Sequence, residues 1–439
     1  MTNIAQNFQQ FPYISYAYSY PHKTAYRMFD NPVSLKEAWA TEATDALFLY
    51  VHVPFCEMRC GFCNLFTTAN PREDVITAYI DAMRRQAREV SSSLGRASFA
   101  RMAIGGGTPT FLSPVELERL FDIAEQSFDC SLADIPVSCE TSPLTADEPR
   151  LRLLRERGID RISIGVQSFV EVEAGAVGRS QKTRSVEHAL ERIKTAGFPV
   201  LNVDLMYGLP GQTIESWLGS LKAALRYQPE EFYLYPLYVR PLTGMGRRPK
   251  EWNDIRVTCY REGKSLLESA GYEQLSMRSF RSSSVDTSDA TVYCCQDDGM
   301  VGLGCGARSY TRELHYSNEY AVGACNIHEI IARFVESPRA AFRFAHYGFR
   351  LSADEQRRRF VIKSILRKDG LDVAGYRRRF GNDPHEDLPE LNVLLTADLA
   401  VSADQSFKLS ETGMELSDAI GPWLYSPNVH ELMRAYDLH

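Results

Sequence analysis

Between Leu47 and Tyr238, short apolar segments alternate six times with stretches of helical periodicity. The predicted strands are Leu47–Val53, Arg101–Ile104, Pro136–Glu140, Arg161–Gly165, Val200–Met206 and Phe232–Leu237. The stretch from Arg72 to Leu94 sets Ile76, Tyr79, Met83, Ala87, Val90 and Leu94 on one side of a helix, as a period of 3.6 residues requires. A second helix opens at Ser113, with Pro114 at its first position and Glu116 at its third, the pattern of a capping box. Strand–helix repetition at this spacing calls for parallel strands joined by right-handed crossovers. The expected fold is therefore α/β, a partial (β/α)6 TIM-like barrel with its chemistry at the C-terminal ends of the strands.

The 439 residues leave chain on both sides of such a barrel. Residues 1–45 form an aromatic-rich N-terminal extension without regular pattern, and 46–245 the barrel. Residues 246–350 extend the barrel toward the substrate, through a Ser-rich stretch and the Gly-rich turn Gly302–Ser309. From 351 to 439 a basic helical stretch precedes short strands, so a small α+β, winged-helix-like domain is expected. Hydrophobic content of 44% and charged content of 24% describe a chain able to bury a large core. A net charge of −7 gives no cationic footprint for nucleic acid or anionic lipid. The longest apolar run, Ala46–Phe55, contains His52 and is half the roughly 20 residues that a membrane span needs. No charged segment followed by an apolar one opens the chain, so a cytoplasmic location is expected. Ten cysteines in such a chain argue for reduced thiols and metal ligation rather than a disulfide framework.

Cys56, Cys60 and Cys63 form a C-x3-C-x2-C run just after the first strand. Three thiolates on one short loop can bind three irons of a [4Fe–4S] cluster and leave the fourth iron open to a chelating ligand. Zinc is the rival, although structural zinc sites favour four N/S ligands in paired blocks. Cys294, Cys295, Cys305 and Cys325 raise the question of an auxiliary cluster, but buried thiols are common without one. The later strands end in polar or glycine signals in order: Gly105–Gly107, Glu140, Gln167, Arg179 shortly beyond, and Asp204. Singly these are a turn, strand-end caps and a surface charge. A barrel gathers all of them around one mouth.

The cysteine spacing, preceded by Tyr50-Val-His-Val-Pro-Phe55 and followed by Gly105-Gly-Gly-Thr-Pro-Thr110, resembles the radical S-adenosylmethionine (SAM) enzymes. More narrowly it resembles the branch that holds oxygen-independent coproporphyrinogen III oxidase, a related heme chaperone and the class C radical methylases. The resemblance runs from about Tyr18 to the C-terminus. It implies a [4Fe–4S] cluster on Cys56, Cys60 and Cys63, and SAM held by Gly106, Gly107 and Thr108 at its amino group. Glu140 and Asp204 match further SAM contacts, Gln167 and Arg179 match side chains for its ribose and carboxylate, and Tyr50 and Phe62 match positions beside its methionine end and the cluster. The implied reaction takes an electron from a donor such as a flavodoxin or ferredoxin and cleaves SAM. The 5′-deoxyadenosyl radical so formed abstracts hydrogen from a small organic substrate, of tetrapyrrole or heteroaromatic type.

Gln296 and the turn Gly302–Ser309 resemble the oxidase's region for a second SAM, the alternative being a loop with a tight glycine turn. Tyr18-Ser-Tyr-Pro21 resembles the oxidase's segment before the barrel, the alternative being aromatic packing over the barrel bottom. Cys63 is followed by Asn64-Leu65-Phe66, where the oxidase pattern carries another cysteine, and residues 235–243 stand closer to the chaperone pattern. Three functions stay open: an oxidase-like radical SAM enzyme, a class C methylase using two SAM molecules, and a non-catalytic heme carrier that retains the cluster. The arginine runs Arg357–Arg359 and Arg377–Arg379 are expected to lie on solvated helix faces.

Overall fold

The computed structural model describes residues 4–247, 253–285, 295–403 and 405–438. The six anticipated strands are Leu47–Val53, Phe99–Gly106, Val137–Thr141, Arg161–Gln167, Val200–Tyr207 and Glu231–Pro236, here called the first to the sixth. They lie side by side and parallel in sequence order. Leu49, Val51, Ile162, Ile164, Val203 and Leu205 are fully buried, as expected of strands covered on both faces.

The sheet is larger than the sequence suggests. Met300–Leu303 adds a seventh parallel strand beside the first, with Leu303 opposite Val51. Beyond it Arg308–Tyr310, Leu314–Ser317, Phe344–Arg350 and Arg27–Ser34 continue antiparallel, and Ser279–Ser282 and Tyr272–Gln274 flank the sixth strand. The result is an open sheet of 13 strands. Three of these strands were hidden for physical reasons. The region read as a glycine turn holds a hairpin so tight that a Cβ on Gly302 would stand 2.4 Å from the Arg308 carbonyl oxygen. In the N-terminal extension, the strand Arg27–Ser34 carries a register shift between Met28 and Val33 that breaks its alternation.

The long helix is Glu73–Leu94 with Arg72 at its N-cap, and Ile76, Tyr79, Met83, Ala87 and Val90 are buried. The capping box at Ser113 forms in full. A second core joins Phe8, Ala17, Tyr20 and Tyr26 to Tyr376, Leu391, Phe407 and Ile420, around a three-stranded sheet of Leu371–Asp372, Ser406–Leu409 and Ala400–Ala403. The aromatic lead thus helps build the C-terminal core. One arginine run differs from expectation: on the helix Ala353–Ile365, Arg358 and Arg359 are buried, and Arg359 donates to the Thr311 carbonyl at 3.1 Å. Arg377 and Arg378 are exposed and pair with Asp383 and Asp372. Among the described residues no helix is long and apolar enough to cross a membrane.

Candidate functional site

The cysteine loop leaves the first strand and is tied down by its backbone. Phe55–Cys56 pairs with Thr68–Ala69, and the Asn70 amide donates to the Cys56 carbonyl at 2.9 Å. At the loop's centre the Gly61 amide donates to Val177 O, and the Met245 amide to Gly61 O, both at 2.8 Å. A Cβ on Gly61 would sit 2.9 Å from Val177 O, so glycine is what lets the loop dock there. Past the last cysteine, the Tyr320 hydroxyl donates to Asn64 O at 2.6 Å. These bonds settle the loop without using its thiols.

All three thiols are partly exposed. Arg179 Nη1 lies 3.4 Å from Cys60 Sγ, and Thr67 Oγ1 lies 3.7 Å from Cys63 Sγ. Burial pushes the Cys56 thiol up to about 12, against a hydrogen bond from Thr108. Burial raises Cys60 as well, against the pull of Arg179. Such thiols keep their protons until metal displaces them. Among the described residues no three His, Cys, Asp or Glu side chains gather as a single-ion site. Soft sulfur donors spread along one loop suit the separate corners of an iron–sulfur cube. Cys295, Cys305 and Cys325 are half-buried, buried and exposed respectively, and Cys294 lies outside the described residues.

The second strand ends on the glycine turn, and each glycine there faces a different group. A Cβ on Gly105 would meet the Glu140 carboxylate at 2.9 Å, and one on Gly107 would stand 2.5 Å from Phe55 O and 2.9 Å from Cys56 Sγ. Gly106 has a φ of +111° and packs on the His52 ring, which a Cβ would approach to 2.6 Å. The turn is thus wedged between Glu140 and the cysteine loop, and the Thr108 amide clamps it by donating to Phe55 O at 2.8 Å.

Glu140 accepts from the Gly106 amide at 3.2 Å. The residue is exposed to solvent at the strand end while its carboxylate stands over Gly105. Burial, reinforced by Asp204, pushes it up to about 7. Burial also pushes Asp204 up to about 6, although Asn202 Nδ2 donates to its Oδ1 at 2.7 Å. Glu140 on the third strand and Asp204 on the fifth stand on either side of the fourth strand, two raised carboxyls whose joint ionisation a nearby cation favours.

Gln167 ends the fourth strand with φ +68°, in the left-handed region, beside a register shift in the ladder. For a residue other than glycine that conformation costs free energy and recurs at ligand sites. Arg179 reaches back to the same strand end, donating to Gly165 O at 2.5 Å while its other nitrogen faces Cys60. Gln181 holds Arg179 through Nε at 2.8 Å and ties off Val166 O and Ser168 O. One guanidinium therefore links the cysteine loop to the Gln167 corner.

Tyr50 points its hydroxyl at His52 Nδ1, 3.4 Å away. Phe62 joins a small apolar cluster with Val177, Met206, Leu237 and Tyr235. Gln296 is buried, accepts from the Tyr20 amide and donates to the Tyr20 carbonyl, both at 3.1 Å. Its amide is spent on the lead segment. His52, a lone histidine of the kind the sequence reads as structural, brings Nε2 to Phe66 O at 2.9 Å, and burial pulls its ring down to about 4, so it is neutral. A Cβ on Gly306 would also strike it, at 2.7 Å. His52 thus spaces the SAM-type turn, the cysteine loop and the Gly-rich turn, and the one available signal was its place inside an apolar strand.

A family model described as the radical SAM superfamily matches residues 50–224. The heme chaperone HemW of Escherichia coli is 30% identical over 272 residues, which are 60% of this chain and 69% of that protein. The chain belongs to the radical SAM superfamily. Anaerobic coproporphyrinogen III oxidase 1 of Cereibacter sphaeroides is 27% identical over 407 residues, 88% of each chain. The solved coproporphyrinogen III oxidase HemN of Escherichia coli superposes with a TM-score of 0.80 at 23% identity, covering 96% of this chain and 98% of that one, so the two share a fold. Membership in the radical SAM superfamily implies a [4Fe–4S] cluster and SAM, and the thiol loop, the cation-suited carboxyls and the glycine turn of this chain fit both.

Proposed function

We propose that the chain is a coproporphyrinogen oxidase-like radical SAM enzyme acting on a small organic substrate of tetrapyrrole type. The observation that carries this is the convergence on one mouth of the Cys56–Cys63 loop, the Gly105–Gly107 turn and the Glu140–Asp204 pair. The oxidase branch is supported by a likeness to the Cereibacter sphaeroides oxidase that spans 88% of this chain, against 60% for HemW. A cluster on Cys56, Cys60 and Cys63 with SAM on its open iron would supply reductive cleavage of the sulfonium to a carbon radical.

The protein's part is placement. Glu140 and Asp204, whose joint ionisation a cation favours, hold the SAM ammonium side, with Gly106, Gly107 and Thr108 offering backbone against it. Arg179 turns its charge toward Cys60 and the carboxylate end, and Gln167, held in its left-handed turn, addresses the ribose. Tyr50 and Phe62 cover the methionine end and keep water from it.

The heme chaperone is the second reading, favoured by the 30% identity to HemW. One experiment separates them. Anaerobic, cluster-reconstituted protein is reduced and given SAM, with and without coproporphyrinogen III. An enzyme releases 5′-deoxyadenosine and oxidises the porphyrinogen, a class C methylase also releases S-adenosylhomocysteine, and a carrier binds heme with no SAM turnover. Cys60→Ala is expected to lose the cluster's visible absorption and all SAM cleavage. If that variant retained both, the assignment of the loop would fall.

A further inference from the structure

The barrel holds the cysteine loop at its centre, through Gly61. The flanks of the loop are held by a different part of the chain. Beyond the strand Leu314–Ser317, residues 318–323 lead into the helix Ala324–Glu336, and bonds between this segment and the loop fall at three points. Arg59 Nη2 donates to the Val322 carbonyl. The Tyr320 hydroxyl donates to Asn64 O at 2.6 Å. His328 Nε2 lies 2.7 Å from Thr68 Oγ1, on the short strand that pairs with Phe55–Cys56. Arg59 directly precedes Cys60 and Asn64 directly follows Cys63, so the first two bonds bracket both cysteines. The third backs the strand pair that carries Cys56.

Tyr320 is itself fixed on several sides. Its ring is buried, with Lys23 Nζ 3.7 Å from the centroid. Tyr436, just past the helix Pro427–Arg434, donates its hydroxyl to Tyr320 O at 2.5 Å and sets its ring 6.5 Å away. That helix packs on the C-terminal core through Val429. The next residue of the loop after Asn64 is Leu65, which is 47% exposed, so its side chain does not pin the chain there. A buried phenol with its hydroxyl on a carbonyl does so instead, because the ring cannot turn without leaving that carbonyl unpaired. The lie of such a loop matters beyond stability: hydrogen bonds to the sulfurs and exposure to solvent set the potential of an iron–sulfur cluster.

We infer that Tyr320 is a positioning residue for the iron–sulfur site, its hydroxyl setting the backbone just past Cys63, and that Tyr436 carries the hold of the C-terminal core onto that contact. Tyr320 acts through Asn64, whose carbonyl takes its hydroxyl. The inference takes the loop for the seat of the cluster, and to that extent rests on the proposed function.

The test uses full-length protein, reconstituted with iron and sulfide under anaerobic conditions, and the variants Tyr320→Phe, Tyr436→Phe and their double. Each substitution removes one hydroxyl and keeps the ring. Tyr320→Phe is expected to take up as much iron as wild type and to lose it to a chelator about three- to tenfold faster, the ratio that one hydrogen bond represents. The EPR spectrum of its reduced cluster and the midpoint potential should both shift. Tyr436→Phe should move the same readouts in the same direction by less, and should add nothing once Tyr320 has lost its hydroxyl. Iron loss, spectrum and potential all unchanged in Tyr320→Phe would overturn the inference. A lower melting temperature with an unchanged spectrum and potential would do the same, since Tyr320 would then serve the fold alone. Should Tyr320→Phe fail to fold, Tyr436→Phe decides: shifted cluster readouts support the inference, and unshifted ones overturn it. Losses that add in the double variant would overturn the route from Tyr436. A cluster that responds as expected in protein that cleaves no SAM would uphold the inference and overturn the proposed reaction. Wild type that holds no iron on the loop would overturn both.

Discussion

Glu140 and Asp204 show how a pair of ordinary carboxyls becomes a receptor for a cation. Both are raised first by burial, to about 7 and about 6. A carboxyl whose folded value lies above its unfolded one stabilises the fold below the unfolded value and gives that contribution up as pH rises through the folded value. The ligand-free protein should therefore lose thermal stability between pH 6 and pH 8. A bound ammonium reverses the sign, because it favours the ionised pair. SAM affinity should rise with pH across the same window and level off above it, and SAM should flatten the stability loss. Glu140→Gln should weaken SAM by about tenfold or more, the value of a charge-assisted hydrogen bond, and remove most of the pH dependence. Calorimetry at pH 6 and pH 8 checks both. A pH-independent affinity in wild type would show that these carboxyls do not meet the ammonium.

At the scale of elements, the barrel was legible because strand hydrophobicity and helix periodicity report burial directly, and all six strand positions could be read from apolar runs such as Leu47–Val53. Strand-end polar residues were legible because parallel topology gathers strand ends whatever lies between them. Contacts made by backbone were not legible. Nothing in the letters reveals that Gly107 makes room for Phe55 O and Cys56 Sγ, or that Gln296 closes both polar groups of Tyr20. Tyr20 belongs to the lead segment, whose aromatic residues are buried against the C-terminal core. Gln296 is one tie on that lead, beside Glu355 at the Tyr20 hydroxyl and Lys363 at the Tyr18 carbonyl. Gln296→Leu leaves a buried amide and a buried carbonyl unpaired, at about 1–3 kcal/mol each. The expected result is a lower melting temperature with early proteolytic cleavage between Tyr13 and Lys23, read by mass spectrometry of timed digests. Digestion at the wild-type rate and sites would show that the lead is held by other contacts.

Across the whole molecule, the barrel, the lead and the C-terminal core meet at one buried ion pair. Arg278 and Asp418 are 2% and 1% exposed. Arg278 Nη1 stands 2.8 Å from Asp418 Oδ1, with a second, shorter contact between Nη2 and Oδ2. Tyr238, just past the sixth strand, donates its hydroxyl to the same carboxylate. The Ser15 amide donates to the Asp418 carbonyl at 3.1 Å, and the Tyr16 ring lies 3.9 Å under the guanidinium. Four segments distant in sequence thus converge on two charges. Desolvating the pair is costly, so its presence says less about net stability than about which surfaces are allowed to meet. Removing one partner is a different matter, since the other is left buried and charged. Asp418→Leu and Arg278→Leu should each cost roughly 3–5 kcal/mol. The double variant should cost clearly less than the sum, because the second substitution removes the stranded charge created by the first. Urea unfolding of the four proteins measures that coupling. Additive losses would mean that the two residues act independently, and that the other cross-links, such as Arg261 to Glu415, hold the C-terminal core to the barrel.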